Sequence, residues 1–382
     1  MIVVAYCRAG FEGEAMRDIE RLAAAAGVRG ASAAPRGEAR ATALAHDDVM
    51  PGSGYVVATL DGLDLTRWRA AIDEAPPVFC RSLFVGSGPH AIAPGAATPA
   101  RGRTDRVTPL AEAIAATGAR GSTLWVEFAD TNEGKAMSTL ARAIEPRLAA
   151  ALRERGILEA ADGAGAGSRR APRNQRRLHV FLASGSKAYV GTSIAGTGSP
   201  WPMGIPRLRM PGGAPSRSTQ KLAEALVTFL GDDESTLLRA GQRAVDLGAA
   251  PGGWSWQLAH RGLRVTAVDN GVLKGEVAHD PLVTHVRADG FRYRPKRAVD
   301  WVVCDIVEQP SRVAALMARW IGGRDARRAI FNLKLPMKRR FDAIDAAAAT
   351  IDAGLGDTTA TLRLHQLYHD REEVTGYLAR LE

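Results

Sequence analysis

The chain has little cysteine. Cys7, Cys80 and Cys304 are its only three, they lie far apart, and none shares a C-x-x-C spacing. That excludes a disulfide framework and a thiolate zinc site, so no metal centre is expected, and a reducing cytoplasm fits. No run of 18 apolar residues occurs, and no segment is expected to span a membrane. The opening stretch MIVVAYCRAG has no basic leader and places Arg8 where an apolar core would continue. It is expected to be a strand and not a signal peptide.

The 382 residues exceed what one compact core normally holds, so two or three domains are expected. A formal charge of +9 on an ordinary globular composition suits a polyanionic partner. Residues 2–7 and 55–60 read as strands, and between them Met16, Ile19, Leu22 and Ala23 share one helical face. Residues 1–75 are expected to form a small α+β unit, followed by a second unit over 76–200. There TLWVEF is a strand, and Leu140, Ile144, Leu148 and Leu152 mark one side of a long helix starting near Lys135. RLHVFLA and KAYVGTSI are two strands joined by SGS. An insertion near 162–177, glycine-rich and then arginine-rich, is read as a flexible basic loop.

A stretch rich in proline and glycine, TGSPWPMGIPRLRMPGG, marks the next boundary, and 201–382 forms the last domain. Short apolar strands (AVDLG, VTAV, DWVVCDI, AIFNLKL) alternate there with helical segments. That is the pattern of an α/β, Rossmann-like parallel sheet. LRLHQLYHDREEVTGYL reads as an antiparallel hairpin at one sheet edge.

AVDLGAAPGGW follows a strand and opens a helix, which turns backbone N–H groups and a helix N-terminus toward a ligand. The dinucleotide fingerprint G-x-G-x-x-G needs its middle glycine so that a pyrophosphate can approach. Here the three positions are Gly248, Ala250 and Gly253, and Pro251 stiffens the turn, so a pyrophosphate cofactor is disfavoured. The set Asp246, Gly248, Pro251, Gly252 and Gly253 resembles a class I S-adenosylmethionine loop, in which an acid meets the ammonium group. Asp269 at the next strand end suits ribose hydroxyls. Asp289 suits the adenine amino group.

WVVCDIVEQP carries Asp305 at a strand tip, without the N-P-P-[FYW] or D-P-P-Y motif of amino-methylating enzymes. Neighbouring side chains on a strand face opposite ways, so Cys304 is expected in the core and not as a nucleophile. What remains is Lys221, Asp305, Lys334 and Glu373 at strand and helix ends. Their motifs, STQK, VCDIV, NLKLP and REEVT, resemble the Lys-Asp-Lys-Glu tetrad of FtsJ-like RNA ribose 2′-O-methyltransferases. Together with APSRSTQKL, VDLGAAPGGW, VDNG, DGFRYRP and LYHDREEVT, they make nearly the whole chain similar to one bacterial family. Its members methylate the ribose of a cytidine in 23S ribosomal RNA.

The resemblance implies a ferredoxin-like unit over 1–75, a THUMP-like RNA-binding unit over 76–200 and an FtsJ-like methyltransferase domain over 201–382. It implies S-adenosylmethionine as cofactor, held by Ser218, Ala250, Pro251, Gly252, Gly253, Asp269, Asp289 and Asp305. It further implies Lys334 as proton acceptor, in a cytoplasmic monomer that acts on 23S ribosomal RNA or a precursor particle without a protein partner.

The chemistry gives Lys334 a reason to stand between Leu333 and Leu335. A ribose hydroxyl must lose its proton as it attacks a sulfonium methyl group, and a free lysine near pKa 10.4 is protonated at neutral pH. Desolvation, Lys221 and the cationic cofactor favour the neutral amine; Asp305 and Glu373 oppose it. RNA contacts are expected from Arg101, Arg103 and Arg106, from Arg169, Arg170 and Arg173 on to Arg177, from Arg207, Arg209 and Arg217, and from Lys338, Arg339 and Arg340. Trp254 and Trp256 are expected to pack rather than to stack on bases. Two other functions compete: methylation of an RNA base, and a non-catalytic RNA-binding assembly factor.

Overall fold

The computed structural model describes residues 1–28, 45–46, 50–93, 104–159, 175–193 and 198–381. They divide into two units, Met1–Pro206 and Arg207–Glu382.

The first unit opens with β1 (Ile2–Tyr6), α1 (Glu12–Ala25), β2 (Ala45–His46), β3 (Tyr55–Thr59), α2 (Leu65–Glu74) and β4 (Ser82–Ala91). Valine and alanine fill β1, which is buried along its length and pairs antiparallel with β3 and β4. The apolar face of α1 brings Met16, Ile19, Leu22 and Ala23 onto Val3, Ala5 and Val56, where Trp68 of α2 joins them. Asp64 caps α2, its carboxylate accepting the N–H groups of Thr66 and Arg67.

The unit continues with α3 (Val107–Ala116), β5 (Thr123–Glu127), α4 (Asn132–Lys135), α5 (Ser138–Glu154), β6 (Arg177–Leu182) and β7 (Lys187–Ser193). A second core gathers Leu110, Ile114, Ile144, Leu148 and Leu152 against Leu178, Val180 and Val190. The long helix starts at Ser138 and not near Lys135, because 132–135 closes its own turn on Thr131, whose hydroxyl accepts the Gly134 N–H.

No break in backbone pairing separates the two cores. Strand β4 pairs with β1 on one side and β7 on the other, giving one seven-stranded sheet in the order β2-β3-β1-β4-β7-β6-β5. At that joint Gly86 stands opposite Gly191. A Cβ on Gly86 would lie 1.9 Å from the Val190 carbonyl oxygen, and one on Gly191 would lie 2.3 Å from that of Val85. Glu127, at the end of β5, is buried but satisfied. It accepts the Tyr6 hydroxyl at 3.1 Å and the Met203 N–H at 2.6 Å, and lies 2.7 Å from His179 Nδ1.

The second unit comprises α6 (Ser218–Phe229), α7 (Glu234–Leu237), β8 (Arg243–Leu247), α8 (Gly253–Ala259), β9 (Arg264–Val268), β10 (Val283–Val286), β11 (Val299–Cys304), α9 (Pro310–Gly322), β12 (Ala326–Lys334), α10 (Arg340–Leu355), β13 (Ala360–His365) and β14 (Glu373–Arg380). The sheet order is β10-β9-β8-β11-β12-β14-β13. Strands β8 to β12 are parallel, and β14 runs antiparallel to both β12 and β13, as the hairpin reading expects. Leu222 and Leu226 of α6 and Leu258 of α8 cover one face with Ala244, Val265 and Trp301. Because β8 has β9 on one side and β11 on the other, the chain reverses direction across the sheet there, where α/β folds bind ligands at the carboxyl strand ends. Among the described residues no helix is long and apolar enough to cross a membrane.

The joint in the first sheet makes a testable point. Gly86→Ala should destabilise the first unit by about 1–3 kcal/mol, the usual cost of forcing an extra group into a packed site. Urea unfolding of the full chain checks this; an unchanged midpoint would mean that β4 and β7 can part freely.

Candidate active site

The carboxyl edge of the second sheet collects the polar residues. Lys334 ends β12, and because β14 runs the other way its first residue, Glu373, stands directly opposite Lys334. Asp305 follows the last residue of β11, the strand beside β12. Lys221 lies in the first turn of α6. These four residues, far apart in sequence, meet. Glu373 takes a hydrogen bond from each lysine, one on either carboxylate oxygen. Asp305 Oδ1 accepts Lys334 Nζ at 3.1 Å, and Lys221 Nζ lies 4.0 Å from Asp305 Oδ2. Glu373 is the most buried of the set, its side chain 6% exposed against 24% for Lys334.

This geometry decides the charge of Lys334. Burial works against its ammonium, yet the charges of Asp305 and Glu373, with hydrogen bonds to both, outweigh it and leave the pKa above its ordinary value. For Glu373 burial pushes the carboxyl up, the two lysines pull it further down, and it ends below its usual range. The sequence left that contest open, and in the resting site the two carboxylates prevail. Leu333 and Leu335 are buried, but the amine reaches past them to two carboxylates.

Sequence reading missed the residues that hold this set in place. Asn332, fully buried and two residues before Lys334 on the same strand face, donates to Asp305 Oδ1 at 2.9 Å. Thr375 Oγ lies 2.8 Å from Asn332 Oδ1 and 2.9 Å from Asp370 Oδ2. Burial, then the charge of Glu373, pushes the Asp370 carboxyl well above its ordinary value. Glu224 accepts the N–H groups of Tyr368 and His369, fixing the turn before β14. Asn332 carried a signal of the same kind as Lys334, a polar side chain inside an apolar strand.

The glycine loop lies beside this set. Gly248 adopts a positive φ of 74°, and a Cβ there would stand 2.7 Å from Ile306 Cγ1, next to Asp305, so only glycine fits. Asp269 accepts the N–H groups of Ala250 at 3.0 Å and Gly271 at 2.7 Å, fixing the loop's entry. Ala250 and Pro251 are joined by a cis peptide bond, and Gly252 and Gly253 lead into α8. Ser218 Oγ pairs with Ser216 Oγ at 2.7 Å, close to Gly253. Asp289, half exposed, accepts the Phe291 N–H. Asp246 differs from the rest: it is wholly buried and accepts the Ser255 hydroxyl at 2.7 Å, while its Oδ1 has no hydrogen-bond partner among the described residues. Burial pushes its carboxyl up to about 7. The loop fits a nucleoside-bearing cofactor: carboxylates at two successive strand ends, a buried acceptor left unpaired behind the loop, and no middle glycine for a pyrophosphate.

Cys304 is fully buried and burial pushes its thiol up to about 12, so it stands in the core as expected. Trp254 and Trp256 are buried too. Of the expected RNA contacts, Arg101, Arg103, Arg169, Arg170 and Arg173 lie outside the described residues. Arg177 does not belong with them. It is 1% exposed, 5.2 Å over the Trp125 ring, and donates to the Ser199 carbonyl. Arg339 pairs with Asp342 at 3.1 Å and Arg340 with Glu372 at 2.9 Å, which leaves Lys338 as the exposed cation of that group without an ion-pair partner among the described residues.

Comparison with known proteins covers both units. Residues 105–194 match the family model "Ribosomal RNA large subunit methyltransferase M, N-terminal", and residues 214–323 match "FtsJ-like methyltransferase". A protein of Azoarcus sp. strain BH72 named "Ribosomal RNA large subunit methyltransferase M" is 44% identical over 98% of this chain and 95% of its own. A protein of Methylococcus capsulatus with the same name is 43% identical over 98% and 97%.

Asp246 supplies a pH test. An unfolded aspartate is charged above about pH 4, whereas the buried one stays neutral until about 7. The folded chain holds the extra proton between those values, so this group's contribution to stability falls as pH rises through them. Asp246→Asn removes the dependence. The variant's stability relative to the natural chain should rise from about pH 5 to about pH 8, by up to about 1.4 kcal/mol per pH unit. Thermal unfolding at both values checks it, and a constant difference would show an ordinary carboxylate.

Proposed function

Because the chain belongs to the ribosomal RNA large subunit methyltransferase M family, we propose that it uses S-adenosylmethionine to methylate the 2′-oxygen of a cytidine ribose in 23S ribosomal RNA. The chain is a methyltransferase of ribosomal RNA. The choice of ribose rests on one observation, the meeting of Lys221, Asp305, Lys334 and Glu373 beside the glycine loop.

S-adenosylmethionine supplies an electrophilic methyl group on a cationic sulfonium. Ser218, residues 250–253, Asp269 and Asp289 would hold it. Lys334 takes the proton of the attacking hydroxyl, a role that needs the neutral amine. Two carboxylates hold the resting ammonium, so Lys334 must shed a proton first, and a further cation bound beside it and Lys221 favours that loss. Asp305 and Glu373 then keep the side chain in position, and Asn332 keeps Asp305 in position. Methylation of a base carbon through a cysteine finds no support, since Cys304 is buried and its thiol is pushed up to about 12. We read the first unit as the ferredoxin-like and THUMP-like half that holds RNA. We read the whole as a cytoplasmic monomer that acts on 23S ribosomal RNA or a precursor particle, with Lys338 near the target.

Methylated large-subunit ribosomal RNA, digested to nucleosides, should yield 2′-O-methylcytidine; a base-methylated nucleoside with an unmodified sugar would falsify the ribose reading. Lys334→Ala and Lys334→Arg should each lower single-turnover transfer by about 10²–10⁴-fold, the range for a lost general base, with cofactor affinity nearly unchanged. Arginine keeps the charge but does not give up its proton. In the natural chain the rate should climb with pH beyond neutrality, because the raised Lys334 must deprotonate. Activity retained in Lys334→Arg, or a rate flat with pH, would remove Lys334 as the base.

A further inference from the structure

The second sheet is not covered evenly. From edge strand β10 the chain returns to β11 across β9 and β8, and residues 287–298 make this crossing as turns and extended chain, without a helix. A parallel sheet ordinarily buries both faces under its crossover helices. Here one face of β8, β9 and β10 stays partly open. Arg243 and Val245, Arg264 and Thr266, and Thr284 and Val286 alternate to that side of their strands.

The result is a groove of about 820 Å³ with sixteen lining residues, of which five are cations (Arg243, Arg264, Arg294, Lys296, Arg297) and none is an acid. Its rim is anchored. Arg319 donates to the Phe291 carbonyl at 2.7 Å, the Arg312 guanidinium lies 4.7 Å over the Phe291 ring, and Arg243 donates to the Ala298 carbonyl at 2.6 Å. Arg294 faces Asp325 at 3.9 Å. Arg264, Lys296 and Arg297 are exposed and have no ion-pair partner among the described residues. Crowded cations over an apolar floor repel one another until a counter-charge arrives. Tyr293 lies on the same rim, half buried. Several cations and an aromatic side chain lining one groove suit phosphates and a stacking base.

We propose that this groove holds the sugar–phosphate backbone of the substrate RNA, at nucleotides outside the one being methylated. The proposal rests on the RNA methyltransferase reading and adds a path for the RNA across the face of β8 to β10. An acidic protein segment is the competing occupant.

The test uses the full chain and an in vitro transcript of large-subunit ribosomal RNA, titrated over a range of salt. The triple variant Arg264→Gln, Lys296→Gln, Arg297→Gln should bind at least about ten-fold more weakly, with the slope of log affinity against log salt reduced by about 2, at about 0.7 per phosphate contact. Its melting temperature and its affinity for S-adenosylmethionine should be unchanged. With the natural chain, a 4-thiouridine transcript should cross-link within residues 293–297, and that result decides the matter if the variant fails to fold. Unchanged affinity and slope without such a cross-link overturn the proposal, and that is also the outcome if the occupant is a protein. Nucleoside digestion is read separately. RNA held through the groove by a chain that makes no 2′-O-methyl nucleoside keeps this proposal and sinks the ribose reading; methylation with a groove-independent slope does the reverse.

Discussion

The pairing of β14 against β12 is the constraint on which the second unit depends. Its register is locked by shape. Phe331 stands opposite Gly376, and a Cβ on that glycine would lie 2.4 Å from the ring, so no other residue fits under the phenylalanine. A slip of one residue would turn every side chain of β14 to the other face. With Phe331 on Gly376, Asn332 falls opposite Thr375 and Lys334 opposite Glu373. The site is thus a by-product of apolar packing a few residues away, which sets polar groups to within hydrogen-bond distance.

Charge is balanced inside that frame. Two lysines face Asp305 and Glu373, and burial pushes the carboxyl of the third nearby acid, Asp370, well above its ordinary value. From Asp370, Thr375 and Asn332 form a short polar chain that reaches Asp305. Hydrogen bonds of such a chain are strengthened in a low-dielectric interior and hold its members in place. Rigidity suits a reaction in which the nucleophile and the methyl donor must be aligned.

Much of this was legible in the sequence, for physical reasons. The strands of the second unit announce themselves because short apolar runs end in glycine, proline and acids. Lys221, Asp305, Lys334 and Glu373 were visible because charges at the ends of apolar segments need a reason. The residues that escaped notice look ordinary alone: Asn332 and Thr375 are neutral, and Glu224 sits on a helix where glutamate is common. The continuous sheet of the first unit escaped because it depends on β4 meeting β7 across about a hundred residues, with Gly86 and Gly191 as the only trace. Arg177 closes an arginine run that reads as surface, and its burial over the Trp125 ring and its bond to the Ser199 carbonyl show otherwise. The direction of the Lys334 shift was not legible at all. It is a contest between burial and two carboxylates, decided by separations that no spacing in the sequence encodes.

The open face of β8 to β10 has a consequence for the protein on its own. A partly bare sheet with an apolar floor tends to bring copies together in water. Its rim of positive side chains works against this, since two such faces repel each other across solvent. That repulsion is screened over about 10 Å at about 0.1 M ionic strength and less far as salt rises. The same arginines and lysine therefore oppose face-to-face association of copies in dilute buffer, and oppose it less in concentrated salt.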